Sequence, residues 1–486
     1  MTHPNPGGRV ETPEALVFWP LVLLSIVCVY FAWYPGLFNA DENDILTQAL
    51  GGRYHDGHSP LLVRLWQLAA FIKVGPALPY FVAVASAILF SGLLLRRLLP
   101  PAVAAAALVV FVFLPPVFVS LGLVTKDLFF ASSMLAAMLC TVRYVEKAGA
   151  GRAVALLAVM LICVLVRRDA VFALLPVILA VLSLMLVRRR IGRWAAGGIA
   201  LAIAMVVVGV LAVSAEATNR FALRAKPFHP EQPTMLWDLA AISLYSNDLL
   251  IPPARLGATG FSLEQLRARF NSAATDWLIW GYDTHNLVFA PDANHAELRA
   301  AWMKAVVAHP LAYLHHRAEY WARYLGIRND SPWFLAQFQG DETLVESAPE
   351  HGWRRVRSAL VDLYGALAFA EWGHQVYLPW VWLILGGLAF VAWTQRNHDP
   401  PPGIRTLLVM LMVTSALAHT FFMGIASASA AGRYHAWPRI ALGLVISATL
   451  FEVLIGRRRR SAAGTFSEPV RRASNALSVP EHGSIG

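Results

Sequence analysis

Between positions 41 and 58 the chain carries Asp41, Glu42, Asp44, Arg53, His55, Asp56 and His58. Three more groups of ionisable residues stand at the edges of apolar runs: Lys126-Asp127, Arg167-Arg168-Asp169 and Arg433-Tyr434-His435, with Arg439 just inside the last run. Charges beside apolar runs that run against the positive-inside pattern want a reason. Carboxylates and cations in this proportion suit group transfer from a phosphate-linked lipid donor. The cations neutralise a departing phosphate, and a carboxylate takes the proton of an acceptor hydroxyl. Arginine fits phosphate because its planar fork stays charged.

Each group also has a plainer role. Lys126-Asp127 can open a helix with an internal ion pair. Arg167, Arg168, Arg433 and Arg439 can snorkel to lipid headgroups. Asp44 reads as a helix N-terminal residue rather than a catalyst, and Asp41 has the same option. His55 and His58 have the spacing of a pair that could hold a divalent metal. With Asp56 between them and a glycine in the turn, hydrogen bonds that shape the loop are the stronger reading. His315-His316 reads as helix surface, and Trp33, Tyr34, Trp372 and Trp380 as interface anchors.

The elements that would position these groups are apolar. Of 486 residues, 57% are hydrophobic and 14% charged, with mean hydropathy +0.54. That composition defines a polytopic membrane protein. The formal charge of +10 does not indicate nucleic-acid binding, because the arginines fall in short runs between apolar spans. Cys28, Cys140 and Cys163 lie inside apolar runs and read as small buried residues. The first run is too long for a signal peptide and lacks a small-residue cleavage site, so it reads as an uncleaved span.

Apolar runs at 16–34, 77–95, 102–122, 128–145, 153–166, 170–187, 194–214, 376–394, 404–425 and 436–455 predict an all-α membrane protein of about ten transmembrane helices. Residues 1–214 form a membrane module of seven spans. Its first loop, 35–75, carries short surface helices over 44–50 and 61–72. Residues 215–375 lack a long apolar run and predict a mainly helical extracytoplasmic domain, with good helical periodicity over 299–326. The helix over 237–248 is expected to pack that domain onto the bundle. A second module of three spans, 376–455, and a disordered tail, 456–486, complete the chain. With the N- and C-termini cytoplasmic, nearly every cytoplasmic loop is rich in arginine or lysine, and the acidic loop and the domain lie outside. No repeat of solenoid length and no inverted repeat is visible.

The chain resembles the GT-C class of membrane glycosyltransferases, which includes protein O-mannosyltransferases and aminoarabinose transferases. Asp41-Glu42 stands where that class carries an acidic pair, just after the first span. More closely, the chain is similar to a group of bacterial GT-C-like proteins. The matching residues are Pro35-Gly36, Asp41, the run Gly52-Arg-Tyr54-His-Asp56-Gly-His58-Ser-Pro60, and Trp66. Lys126-Asp127 matches a turn that opens a span, and Arg167-Arg168 a basic turn after the following one. The likeness covers 1–215 best; Arg433-Tyr434 fits more loosely, and 215–375 matches by position and by fragments such as Trp237-Asp238-Leu239. Asp169 departs from the amide expected after the basic pair.

The resemblance implies inverting sugar transfer from a polyprenyl-phosphate-linked donor to a glycan, lipid or protein acceptor, at the outer face of a bacterial inner membrane. It implies Asp41 as general base and Glu42 as its support or as an acceptor ligand. It assigns Lys126, Arg167, Arg168 and Arg433 to the donor phosphate; the residues themselves read Tyr54, His55, Asp56 and His58 as loop-shaping or acceptor-binding. Relatives differ in their use of a divalent metal. Two other classes stay open. A flippase for a lipid-linked glycan would want broken helices, for which Pro115-Pro116 and Pro176 are the hints. A non-catalytic membrane scaffold or receptor would use the 215–375 domain and would leave the outer cations and acids unexplained.

Overall fold

The computed structural model describes residues 13–34, 36, 40–73, 75, 77–256, 261–280, 286–289, 295–328, 355, 358–360, 362–364, 366, 374–397 and 403–455. Helix takes 81%, and no strand forms among the described residues. That follows from the composition, since a helix satisfies its backbone groups within its own segment where no water reaches. The first module holds α1 (Pro13–Trp33), α2 (Ala40–Gly51), α3 (Pro60–Phe71), α4 (Ala77–Leu98), α5 (Pro101–Val112), α6 (Pro115–Gly122), α7 (Lys126–Glu146), α8 (Ala150–Val166), α9 (Ala170–Arg188) and α10 (Arg193–Ala217). The domain holds α11 (Gln232–Ser246), α12 (Leu263–Arg269), α13 (Asp276–Ile279), α14 (Ala296–Ala308) and α15 (Pro310–Tyr324). The last helices are α16 (Pro379–Arg396), α17 (Ile404–Ala426) and α18 (436–455).

Among the described residues six helices are long and apolar enough to cross a membrane: α4, α7, α9, α10, α17 and α18. The expected span over 102–122 is broken. It forms α5 and α6, bent by 75° ahead of Pro115-Pro116, and counts as a seventh span if the pair is taken together. Proline removes a backbone donor and clashes with the preceding turn, so the helix cannot run straight through. Val17–Trp33 of α1 and Ala150–Val166 of α8 are shorter apolar helices.

Successive long helices run in opposite directions, which sorts their ends. One end of the bundle collects the α1–α4 loop and the turns α6–α7, α8–α9 and α17–α18. The other collects the arginines. There Arg97 pairs with Glu146 at 2.7 Å, Arg188 donates to the Val145 carbonyl, and Arg152 donates to the carbonyls of Arg143 and Lys147. The buried α7 packs on α4, α8 and α17, and α9 on α10 and α17.

Several expectations change. Trp33 is fully buried rather than an interface anchor, because α6 bends across the end of α1 and sets Phe118 against it at 5.2 Å. Tyr34 and Trp380 are exposed, and Trp372 lies outside the described residues. Cys28 is exposed on α1, Cys140 half-buried and Cys163 buried, all free. The helical stretch at 299–326 divides at His309-Pro310 into α14 and α15. His316 is 1% exposed rather than on the surface, because Asp238 lies beneath it at 3.4 Å. α11 forms the core of the domain through Leu236, Trp237, Leu239 and Ile242. It is α15 that packs along the end of α17, with the Tyr320 hydroxyl shared between the Ser429 carbonyl at 3.0 Å and the Met423 carbonyl at 3.4 Å, and Trp321 edge-on to Phe421.

Candidate functional site

α2 begins at Ala40, four residues before the expected start at Asp44, so Asp41 and Glu42 occupy its first turn. Carboxylates are favoured there by the unpaired amides and the helix dipole. The chain reaches that turn through Gly36, which has φ +106° and donates to the Trp33 carbonyl at 2.6 Å. A Cβ at Gly36 would run into Val124 and crowd Tyr80. The turn therefore closes tightly over the segment that leads into Lys126, the first residue of α7.

Three elements distant in sequence meet at one oxygen. Lys126 Nζ lies 3.3 Å and Arg433 Nη2 3.0 Å from Asp41 Oδ2. All three side chains are about four-fifths buried, at 21%, 19% and 16% exposed for Asp41, Lys126 and Arg433. Burial alone would push the Asp41 carboxyl up. Arg433, Lys126 and His58 outweigh it and hold the group well below the usual carboxylate range. Glu42, fully buried, stands beside it on the same turn.

A second layer backs Lys126. Its ammonium is 3.5 Å from His58 Nδ1. His58 Nε2 and His55 Nε2 both face Asp44 Oδ2, at 3.1 and 3.4 Å. Gln48 donates to the same oxygen at 2.9 Å and accepts from the His55 amide at 3.0 Å. Hydrogen bonds from the two imidazoles lower the Asp44 carboxyl below its ordinary value. Asp44 thus organises the loop rather than ending the helix, because α2 starts a turn earlier. Among the described residues no group of three or more His, Cys, Asp or Glu is arranged to hold a metal.

Tyr54, His55 and Asp56 tie this loop to the segment after α10. Lys226 N donates to the Tyr54 carbonyl at 2.8 Å and Asp56 N to the Lys226 carbonyl at 3.0 Å. His55 stacks on Phe228 at 4.3 Å, and the Phe228 amide donates to Asp56 Oδ1 at 2.6 Å. Arg64 donates to the Tyr54 hydroxyl at 3.0 Å.

The basic pair at the α8–α9 turn lies in ion pairs of its own. Arg168, 43% exposed at the rim, pairs with Asp56 and Glu216. Arg167 is buried against Asp127 and donates through Nε to both oxygens of Asp169, at 2.6 and 2.9 Å. Asp169 also faces His419 at 3.4 Å, which gives a carboxylate at this position two partners that an amide would serve less well. The Tyr434 ring lies 4.8 Å from the Arg167 guanidinium and 5.3 Å from that of Arg433, so it stands next to both.

Asp276, at the start of α13, is a site residue that sequence reasoning missed. Backbone pairing sets Ala274 opposite Ser429 and brings Asp276 within the field of Arg433 and Asp41. Burial pushes its carboxyl up, and Asp41 adds to this against the pull of Arg433. No motif surrounds it. His419 was visible as an ionisable residue inside an apolar run.

Fold and site together define a polytopic helical membrane protein with a carboxylate clamped between a lysine and an arginine at one end of its bundle. No family model matches the chain, and no curated protein matches it.

Proposed function

We propose that the chain is an integral-membrane glycosyltransferase of GT-C-like architecture with about ten spans. In this reading the acidic loop and the 215–375 domain face outward, and both termini are cytoplasmic. It moves a sugar from a polyprenyl-phosphate donor to an extracytoplasmic glycan, lipid or protein. The single observation that carries the reading is the junction of Asp41 with Lys126 and Arg433. A carboxylate beside two cations at the end of a bundle is the set that phosphate departure and proton removal require.

The low proton affinity of Asp41 in the resting site has a consequence. A donor phosphate draws Lys126 and Arg433 toward its own oxygens, and Asp41 becomes more basic as its partners turn away. The acceptor oxygen then bonds to the anomeric carbon, and its proton passes to Asp41. The carbon–oxygen bond to phosphate breaks, and the electron pair leaves on the lipid phosphate, where the two cations stabilise it. Inversion follows from a single displacement. Glu42 supports Asp41. Arg168 meets the phosphate at the rim, and Arg167, held by two carboxylates, supports Tyr434 from behind.

Asp41→Asn in purified protein, assayed for transfer from a polyprenyl-phosphate sugar, is expected to lose about 10²–10⁴-fold in kcat. Wild-type turnover would remove Asp41 as the base. The bend between α5 and α6 favours a second reading, a flippase for a lipid-linked glycan. Against it, the bend is filled, with Phe118 stacked on Tyr364 at 4.9 Å and set against Trp33.

A further inference from the structure

Residues 427–431 form a strap between α17 and the turn that carries Arg433, and the domain grips this strap from two sides. From α15, Arg317 Nη1 donates to the Ser427 carbonyl and the Tyr320 hydroxyl to the Ser429 carbonyl, both at 3.0 Å. From the segment before α13, Thr275 N donates to the Ala428 carbonyl at 3.0 Å, and Ala430 N donates to the Ala273 carbonyl at 2.7 Å. Three consecutive strap carbonyls are therefore bound by the domain. The grip is itself anchored. Arg317 Nη2 lies 2.6 Å from Asp238 Oδ1, and the fully buried Asp238 also accepts from Trp302 Nε1 at 2.8 Å.

Arg433 follows Ala430 by three residues, and Asp276 follows Thr275 by one. Any slip of the strap against the domain shifts Arg433, and with it the clamp, relative to the domain residue Asp276. We propose that Tyr320 and Arg317 are positioning residues for Arg433, so that the domain sets the affinity of the clamp for the donor phosphate through the strap. The inference rests on the reading of Asp41, Lys126 and Arg433 as the donor site. Neither Tyr320 nor Arg317 contacts that site; each acts through backbone carbonyls. Small displacements at a reacting centre have large effects, on the order of 10²-fold for about 1 Å.

Tyr320→Phe deletes one hydroxyl from a packed ring. Its donor KM is expected to rise about fivefold, the effect of one lost hydrogen bond, with kcat and acceptor KM close to wild type. Arg317→Lys keeps a charge for Asp238 and should shift donor KM the same way. A disulfide from Ala274→Cys with Ser429→Cys joins residues that face each other across the pairing, a separation a disulfide can bridge. Added to Tyr320→Phe, it should restore donor KM when oxidised and lose the rescue when reduced. A wild-type donor KM in Tyr320→Phe would overturn the proposal, as would failure of the disulfide to rescue. Arg433→Ala and Lys126→Ala separate the two levels. If both raise donor KM while Tyr320→Phe does not, the strap inference alone is wrong. If neither does, the donor-site reading itself fails.

Discussion

Around Arg433 two carboxyls are displaced in opposite senses, Asp41 downward and Asp276 upward. Such divergence separates a group that stays ionised from one that can hold a proton. For Asp276 the folded value lies above its ordinary 3.8. Its contribution to stability is therefore complete below that value and is lost as pH rises through the folded one. Asp276→Asn is uncharged at every pH and removes this dependence. Its unfolding midpoint in detergent is expected to fall less than that of wild type as pH rises above about 4. An unchanged pH dependence would show that Asp276 contributes none of it. Lys126, Asp41 and Arg433 were legible in the sequence because they border apolar runs at turns outside the arginine-rich loops. Asp276 and the partnership of Arg167 with Asp127 and Asp169 were not, because tertiary contacts select which charges pair.

At the scale of elements, the first loop depends on how sharply the chain leaves α1. Gly36 has a backbone conformation that L residues rarely adopt, and Val124 occupies the place of a side chain. Gly36→Ala is therefore expected to lower stability by about 1–3 kcal/mol. By pushing Val124 it should also weaken the pairing of Lys126 with Asp41 and raise donor KM. Gly51→Ala, where a Cβ meets nothing within 4 Å, is the matched control and should be close to neutral. Equal midpoints for the two variants would mean that the turn is not under this constraint. The same elements show why sequence boundaries erred. Apolar periodicity placed a helix at 44–50, whereas α2 starts at Ala40, where the acidic first turn meets cations from two other elements. Pro115-Pro116 announced a disturbance in the third run, but the 75° bend reflects where Phe118 finds Trp33 and Tyr364.

Across the whole molecule, alternation was the most readable feature, because each apolar run must reverse the chain and arginines cluster on alternate turns. Which face of the domain meets the bundle was not readable. Amphipathic spacing in α11 and α15 marks a buried side without naming its partner, and α15 proved to be the docking helix. The alternation allows a direct test of the proposed orientation. Arg53 is exposed in the acidic loop, and Arg189 is exposed at the arginine-rich end. Single cysteines at these two positions, in a background without the three native thiols, report the two ends of the bundle. In intact cells an impermeant maleimide is expected to label Arg53→Cys, and Arg189→Cys only after the membrane is opened. The asymmetry should be close to complete, since arginine-rich loops are retained on the cytoplasmic side. The reverse pattern would put Asp41, Lys126 and Arg433 in the cytoplasm. The donor would then have to be used on the inner leaflet, and the domain could not meet an extracytoplasmic acceptor.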